Sequence, residues 1–385
     1  MTKKSNRAQC AGLIRTLSLV LVVFGVIGLL SCTELMDYLT DFIQSPEIQN
    51  PENQNQGTSK EETQEPSLGN EHSLSDELEV HFIDVGQADS ILIKNGKSAM
   101  LIDAGDSKSA DTIKTYLVSQ GVSKLEYLIG THPHEDHMGS FADVINNFDI
   151  ENIILTEKIN TGKYFKRAIE AIEKKNLSIT KATVGDKYKL GDAEFIILSP
   201  AKDYGDNLND ASIIIRLTYG ENSFIFTGDA ETTSEKDVVD SGYELKSDVI
   251  KLGHHGSSTS SSNAFLKAVS PTYGVIMCGK DNSYGHPHKE TMEKIKKYGI
   301  TVYRTDEQGS IVAISDGKNI TWETGTVTKT ANENVTFILN VNSKKFHLPS
   351  CSGIAKISKN NRREFTGSRE ELIADGYSPC GTCKP

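Results

Sequence analysis

The residues best suited to chemistry stand in one short segment, His132-Pro133-His134-Glu135-Asp136-His137. Side chains two positions apart in an extended segment leave on the same side, so His132 and His134 can act together. Asp136 and His137 follow at once. Imidazole and carboxylate groups suit zinc, manganese or iron, and the segment therefore predicts a metal site.

Other polar residues also follow apolar runs. Asp84 follows VHFI, Asp229 follows SFIFTG, and the pair His254 and His255 follows DVIKLG. The ends of neighbouring strands meet at one edge of a sheet. We therefore expect these residues to converge on the 132–137 segment in a single site.

The elements that would position these residues alternate between short apolar runs and amphipathic stretches. The predicted strands are 79–85, 90–94, 99–103, 125–130, 152–156, 194–198, 212–218, 223–227, 248–252, 273–278, 301–304 and 310–314. The predicted helices are 112–120, 141–147, 163–175, 232–240, 262–269 and 288–298. This pattern predicts an α/β sandwich of mixed sheets.

The His-x-His-x-Asp-His pattern resembles the hallmark of the metallo-β-lactamase superfamily. The whole domain, residues 79–325, resembles the extracellular hydrolase domain of the ComEC/Rec2 competence proteins. The matching segments are HFIDVGQADSILI (81–93), LIDAGD (101–106), YLIGTHPHEDHMGS (127–140), SFIFTGDA (223–230), DVIKLGHHGSSTSSS (248–262) and NSYGHPH (282–288). The resemblance implies the αβ/βα four-layer sandwich of that superfamily.

The resemblance also implies two divalent metals, zinc or manganese. Its implied ligands are His132 and His134 for the first metal, Asp136 and His137 for the second, and Asp229 between both. A histidine of the 253–256 loop would complete the second. His254 is favoured because it lies nearest the strand end, and His255 is the alternative.

One departure concerns the first metal. Many superfamily members have another His ligand between the His-x-His-x-Asp-His segment and the Gly-Asp motif, which is Gly228-Asp229 here. Residues 138–253 of this chain contain no histidine. This chain has Asn207-Leu208-Asn209-Asp210-Ala211-Ser212 there. Either Asp210 or Asn209 stands in as a ligand, or the segment only shapes the pocket.

The chemistry expected of such a centre is hydrolysis. Two metals would lower the pKa of a bridging water, and the resulting hydroxide would attack phosphorus or a carbonyl carbon. Asp136 or a free histidine such as His255 would manage the proton, and Asp84 would orient a ligand by a hydrogen bond. His286 would contact a phosphate or leaving group; a loop-packing role is its alternative.

The N-terminus predicts export and anchoring. Four basic residues precede an apolar run that ends in Leu29-Leu30-Ser31-Cys32. This resembles a bacterial lipoprotein signal peptide (1–31) with lipid-modified Cys32; an uncleaved membrane helix is the alternative. Residues 45–79 are rich in Asn, Gln, Glu, Pro and Ser, and we predict a disordered acidic tether over residues 32–78. Both interpretations predict an extracytoplasmic, membrane-held protein.

The C-terminal segment, residues 330–385, predicts a second, small metal module. His347 and Cys351 are four positions apart, and Cys380 and Cys383 form Cys-x-x-Cys. Such pairs suit one tetrahedral structural zinc; a Cys380–Cys383 disulfide is the alternative. The segment resembles the metal-binding domain of the Ada DNA-repair proteins. His347 stands where that family has its methyl-accepting cysteine, so methyl transfer is not expected.

Together these features predict an extracytoplasmic phosphodiesterase or nuclease acting on DNA, a nucleotide or another phosphate-ester polymer. Residues 80–325 carry 27 basic and 35 acidic side chains, which excludes a large basic field for nucleic acid. The alternatives are a cell-wall esterase of the phosphorylcholine type and a non-catalytic lipoprotein that binds a polyanion through the basic C-terminal module. The sequence does not identify a protein partner.

Overall fold

The structure is a computed structural model that describes residues 76–325, 335–349, 351–367, 372–373 and 375–383. The predicted signal peptide, the lipidation site Cys32 and nearly all of the predicted tether lie outside these residues. Within the described ranges, every helix is too short or too polar to cross a membrane.

Eight strands form the first sheet among the described residues. They are β1 (Leu78–Phe82), β2 (Ile91–Asn95), β3 (Ser98–Ile102), β4 (Lys124–Gly130), β5 (Asp149–Leu155), β6 (Ile179–Lys181), β14 (Ile311–Ser315) and β15 (Ile320–Thr324). Their order is β15-β14-β1-β2-β3-β4-β5-β6. The pairs from β15 to β3 are antiparallel and those from β3 to β6 are parallel.

The second sheet has the same plan. Its strands are β7 (Lys187–Leu190), β8 (Ala193–Ser199), β9 (Ile214–Tyr219), β10 (Asn222–Phe226), β11 (Val249–Lys251), β12 (Tyr273–Ile276) and β13 (Thr301–Arg304). The pairs from β7 to β10 are antiparallel, and those from β10 to β13 are parallel.

Helices complete the sandwich. They are α1 (Ala110–Ser119), α2 (Glu135–Met138), α3 (Phe141–Asn147), α4 (Lys163–Lys174), α5 (Thr232–Asp240), α6 (Asn263–Val269), α7 (Lys289–Tyr298) and α8 (Thr305–Gln308). Side chains such as Phe82 and Phe224 form an apolar core shared by both sheets. A second core packs Ile250 against Phe265 of α6 and Ile295 of α7. The predicted four-layer α/β sandwich is confirmed.

The described part of the C-terminal segment forms a separate four-stranded sheet, β18-β16-β17-β19. Its strands are β16 (Val335–Asn340), β17 (Lys345–His347), β18 (Arg362–Gly367) and β19 (Ser378–Pro379). Phe337, Phe346 and Leu348 form a small core with three cysteines. A core of this size gives little stability by itself, so the module is expected to need a bound metal or a disulfide as well.

The strands that carry the site end at neighbouring positions. In the first sheet β3 pairs with β4, and the 132–137 segment follows β4. In the second sheet β10 pairs in parallel with β11, and Asp229 and the two adjacent histidines follow these strands. The loops after these four strands therefore build the site.

Candidate metal centre

Asp229 supplies the central carboxylate of the site. Its Oδ2 lies 3.3 Å from His137 Nε2, 3.5 Å from His255 Nε2 and 4.0 Å from His132 Nε2. Asp136 adds a carboxylate oxygen 3.2 Å from His255 Nε2. Ligand atoms of Asp136, His137, Asp229 and His255 all lie within 4.8 Å of one another. Three segments distant in sequence thus present oxygen and nitrogen donors to one small volume.

His137 is held in place by Asp103, which directly follows β3. The Nδ1 of His137 donates to Asp103 Oδ2 at 2.7 Å, which directs Nε2 towards Asp229. Asp103 also accepts hydrogen bonds from the backbone N–H and the hydroxyl of Thr131, both at 2.8 Å. An outer carboxylate of this kind fixes the tautomer and orientation of a metal-binding histidine.

His255 is oriented from its other side by a buried ion pair. Its Nδ1 donates to the carbonyl oxygen of Met277 at 2.9 Å and lies 3.2 Å from Asp89 Oδ1. The other oxygen of Asp89 lies 2.6 Å from Lys251 Nζ, and both side chains are almost completely buried. Lys251 thus compensates the charge of Asp89 behind the histidine.

The backbone at residues 254–256 decides which histidine enters the cluster. His254 and His255 have φ values of 51° and 53°, in the left-handed region that non-glycine residues rarely adopt. Gly256 follows with φ 85°, where an added Cβ would lie 2.7 Å from Pro287 Cβ. This tight turn directs His255 inwards, where it is 1% exposed.

Of the two histidines left open for the second metal, the structure brings the alternative, His255, into the cluster and not the favoured His254. The His254 side chain is 24% exposed and faces Glu231 Oε1 at 3.5 Å. The Nε2 of His254 still lies 3.8 Å from Asp229 Oδ2, so His254 borders the site. Distance from the strand end did not identify the inward-facing histidine, because both residues adopt left-handed φ values.

His132 and His134 lie on the other side of Asp229. The Nε2 of His132 is 2.9 Å from His134 Nδ1. The Nδ1 of His132 is 3.1 Å from Thr131 Oγ1 and 3.3 Å from Ser212 Oγ. The same Ser212 hydroxyl accepts a hydrogen bond from the backbone N–H of Asp229. Ser212 therefore links the two residues, and the 207–212 segment shapes the pocket wall.

The site has an excess of negative charge that cations can balance. Four carboxylates, those of Asp89, Asp103, Asp136 and Asp229, lie in or directly behind the cluster. The ammonium group of Lys251 pairs with Asp89 alone among them. Burial lowers the pKa of His255, but Asp229 and Asp89 outweigh it and raise that pKa to about 10. Burial also lowers the pKa of His137, but the same carboxylates outweigh it and raise that pKa, so without metal, protons on His137 and His255 offset part of this negative charge. Divalent cations would balance it instead.

Two atoms at the centre also make no hydrogen bond among the described residues, although one of them, His137 Nε2, lies 3.3 Å from Asp229 Oδ2. His137 Nε2 and Asp229 Oδ1 are buried and make no hydrogen bond in the described structure. Buried polar atoms without partners are unfavourable, by about 1–3 kcal/mol each. These donors, the charge and the mixed N/O ligand set fit the divalent metals that the fold implies.

Asp84 and Asp210 do not take their expected roles. The carboxylate of Asp84 is exposed and accepts a hydrogen bond from Gly86 N–H within its own turn. Asp210 Oδ1 accepts from the backbone N–H groups of Glu231 and Ser234 at the start of α5, and Oδ2 accepts from Asn207. Asp84 is thus a turn residue, and Asp210 caps a helix.

His286 lies at the rim of the cluster. Gln87 fixes its tautomer, because Gln87 Oε1 accepts from Gly279 N–H and the amide Nε2 therefore donates to His286 Nδ1 at 3.1 Å. Its ring stacks on that of His255, with centroids 6.3 Å apart and planes 27° apart. Burial and the nearby His255 lower the pKa of His286 to about 4. His286 thus presents a neutral ring that carries its proton on Nε2.

The C-terminal segment contains its own candidate metal site. His347, Cys351, Cys380 and Cys383 offer ligand atoms within 4.8 Å of one another, and all four residues are buried. The three cysteines are free thiols, which favours zinc over the alternative disulfide. The Nδ1 of His347 is buried without a hydrogen-bond partner. The donors fit the predicted structural zinc.

The sequence analysis missed three residues of the main site, Asp103, Asp89 and Lys251. Asp103 and Asp89 lie within segments that carried the resemblance, and Asp103 follows β3 just as His132 follows β4. The same strand-end argument that selected Asp84 would have selected Asp103. Lys251 could also have been found from the sequence. A lysine inside the apolar run DVIKLG is expected to be buried, and a buried lysine needs a counter-charge.

Comparison with known proteins agrees with this geometry. Residues 83–280 match the family model described as the metallo-beta-lactamase superfamily. The chain is 28% identical to ComE operon protein 3 of Bacillus subtilis over 256 residues, 62% of this chain and 33% of that protein. It is 31% identical over 230 residues to Competence protein ComA of Neisseria gonorrhoeae, which covers 59% of this chain and 31% of that protein.

Recombination protein 2 of Haemophilus influenzae is 30% identical over 239 residues, 60% of this chain and 28% of that protein. The chain thus spans about a third of the length of the curated relatives that it matches. Among solved structures, the metallo-beta-lactamase fold protein YhfI from Bacillus subtilis aligns with 62% of this chain and 100% of its own, at 13% identity and a TM-score of 0.44.

Proposed function

Because the chain belongs to the metallo-β-lactamase superfamily, we propose that it is a metal-dependent phosphodiesterase or nuclease that acts outside the cytoplasm on DNA, nucleotides or a related phosphate ester. One observation carries this proposal. The Oδ2 of Asp229 lies 3.3–4.0 Å from the Nε2 atoms of His137, His255 and His132. Competence protein ComA and Recombination protein 2 are named for processes that involve DNA, and this is our reason for proposing a phosphodiester substrate.

Asp136, His137, Asp229 and His255 converge as one group of ligands; His132, which lies near Asp229 and contacts His134, forms with His134 the second group of this proposal. His132 and His134 would hold one divalent metal, and Asp136, His137 and His255 would hold the other, with Asp229 between them. Two such metals supply an activated water and stabilise the charge that develops on the phosphate. Asp103 and Asp89 orient His137 and His255, so the ligands are preorganised before a metal binds.

The rim residues would act on the substrate. His286 carries its proton on Nε2, because Gln87 donates to Nδ1, and it can therefore donate to a phosphate oxygen or to the leaving oxygen. Asp136 is the most exposed carboxylate of the cluster and is suited to accept a proton from the attacking water. The side chain of His254, which faces Glu231, borders the same opening.

The C-terminal segment and the anchor complete the proposal. One zinc on His347 and the three cysteines would stabilise an Ada-like module. The basic side chains of Lys356, Lys359, Arg362 and Arg363 would let that module hold a polyanion. The lipobox-like Cys32 supports attachment to a membrane from the outer side.

The test is metal-dependent hydrolysis of bis-p-nitrophenyl phosphate and of single-stranded DNA. Metal-stripped full-length protein is reloaded with manganese or zinc and compared with His132→Ala. We expect turnover that requires metal and falls at least about 100-fold in the variant. The Asp84→Ala variant is the matched control, because its carboxylate is exposed in a turn, and it should keep the activity. Full activity of His132→Ala would refute the proposal.

A further inference from the structure

One aromatic side chain beside the metal cluster faces solvent. Tyr284 is 67% exposed, against 39% for Tyr243 and 45% for Ile373, the other exposed large apolar residues among those described. A large exposed aromatic side chain next to a candidate catalytic centre indicates ligand binding more strongly than one elsewhere on the surface. Tyr284 is therefore a candidate ligand contact.

The Tyr284 ring continues a series of nearly parallel rings that leads into the site. It stacks on His286 with centroids 5.7 Å apart and planes 22° apart. His286 in turn stacks on His255 with planes 27° apart. The outer face of this series is a flat aromatic surface that begins at a candidate metal ligand.

The loop that carries Tyr284 is held firmly. The amide of Asn282 donates to the carbonyl oxygens of Gly279 and His286 at 2.8 Å and 2.7 Å, and its oxygen accepts from His286 N–H at 3.0 Å. His288 Nε2 donates to the carbonyl oxygen of Tyr284 at 3.2 Å. A ring on such a loop can bind a flat ligand with little loss of conformational entropy.

The charge of the domain points to the class of ligand. Residues 80–325 carry 27 basic and 35 acidic side chains, so a phosphate backbone gains little from the protein surface away from the metals. Within this domain, affinity for a polymer beyond the metals must then come from uncharged contacts, whatever the basic C-terminal module adds. A nucleobase matches a flat aromatic face, and every base has one.

We propose that Tyr284, stacked on His286, is a platform for a nucleobase of a single-stranded nucleic-acid substrate. The base stacks on the outer face of the Tyr284 ring while a neighbouring phosphate lies at the metal cluster. This inference rests on the proposed phosphodiesterase function and deepens it, because it assigns the substrate class to single-stranded nucleic acid. Since stacking depends little on sequence, the platform accepts any base.

The test compares binding of two oligomers to the full-length, manganese-loaded protein. One is a fluorescent phosphorothioate oligothymidylate, and the other has abasic units with the same number of phosphates. Stacking of one base is expected to make the first bind roughly 5- to 150-fold more tightly. Tyr284→Ala should remove this preference, and Tyr284→Phe should keep it. Tyr243→Ala, which changes an exposed tyrosine outside this loop, should keep it too.

Three outcomes would overturn the inference. The first is a wild type that binds both oligomers equally, and the second is a Tyr284→Ala variant that keeps the preference. The third is a Tyr284→Ala variant that binds the thymidylate and the abasic sugar-phosphate oligomer more weakly by the same factor. The last outcome would reassign the ring to a sugar. Because binding is measured without turnover, failure of the hydrolysis assay alone would refute only the proposed function.

Discussion

The ion pair of Lys251 and Asp89 allows a quantitative prediction. Both side chains are almost completely buried, with Nζ and Oδ2 2.6 Å apart. Lys251→Met leaves the buried Asp89 carboxylate with only the His255 imidazole, 3.2 Å away, to offset its charge. Removing one partner of a buried pair destabilises a protein by about 3–5 kcal/mol. We expect Lys251→Met to lower the free energy of unfolding of the main domain by that amount.

A second variant isolates the charge from the loss of packing. Lys251→Met combined with Asp89→Asn leaves no buried charge, so the double variant should be more stable than Lys251→Met alone. Trp322, the single tryptophan, lies in β15 of the main domain, and its fluorescence reports unfolding in urea. Metal-free protein is used so that metal affinity does not contribute. A double variant as unstable as the single one would refute the reasoning.

Three further predictions concern metals and anchoring. Asp103→Asn should weaken metal binding at the main site by about 10- to 100-fold, because the amide has no charge and offers one acceptor oxygen where Asp103 uses both, for Thr131 and His137; calorimetric titration measures this, and equal loss in Asp84→Asn would contradict it. His347→Ala should remove one zinc per chain by elemental analysis and leave hydrolysis by the main domain intact; unchanged zinc would contradict it. Cys32→Ser should release the protein from membranes on fractionation, and retention there would favour the uncleaved helix.

The sequence predicted the fold well because hydrophobic periodicity is a local signal. Helix α3 was predicted at 141–147 and strand β13 at 301–304, with the bounds that the structure has. The strands β6, β7 and β15 were missed. They are short or carry charged side chains at sheet edges, so their pairing is decided by the neighbouring strand and not by their own pattern.

Site residues were predicted correctly where their type and their position after a strand were enough to identify them. His132, His137 and Asp229 follow strand ends and converge in the structure. The choice between His254 and His255 depends on two backbone angles that the sequence does not reveal. Asp103 replaced Asp84 as the orienting carboxylate, because contact with His137 depends on how the loops after β3 and β4 pack together.

Anomalous diffraction from crystals of manganese-loaded protein tests the central claim most directly. Our account predicts two peaks beside Asp229, one contacted by His132 and His134 and the other by Asp136, His137 and His255. A single peak there, or metal confined to the cluster of His347 and the cysteines, would contradict a dinuclear centre.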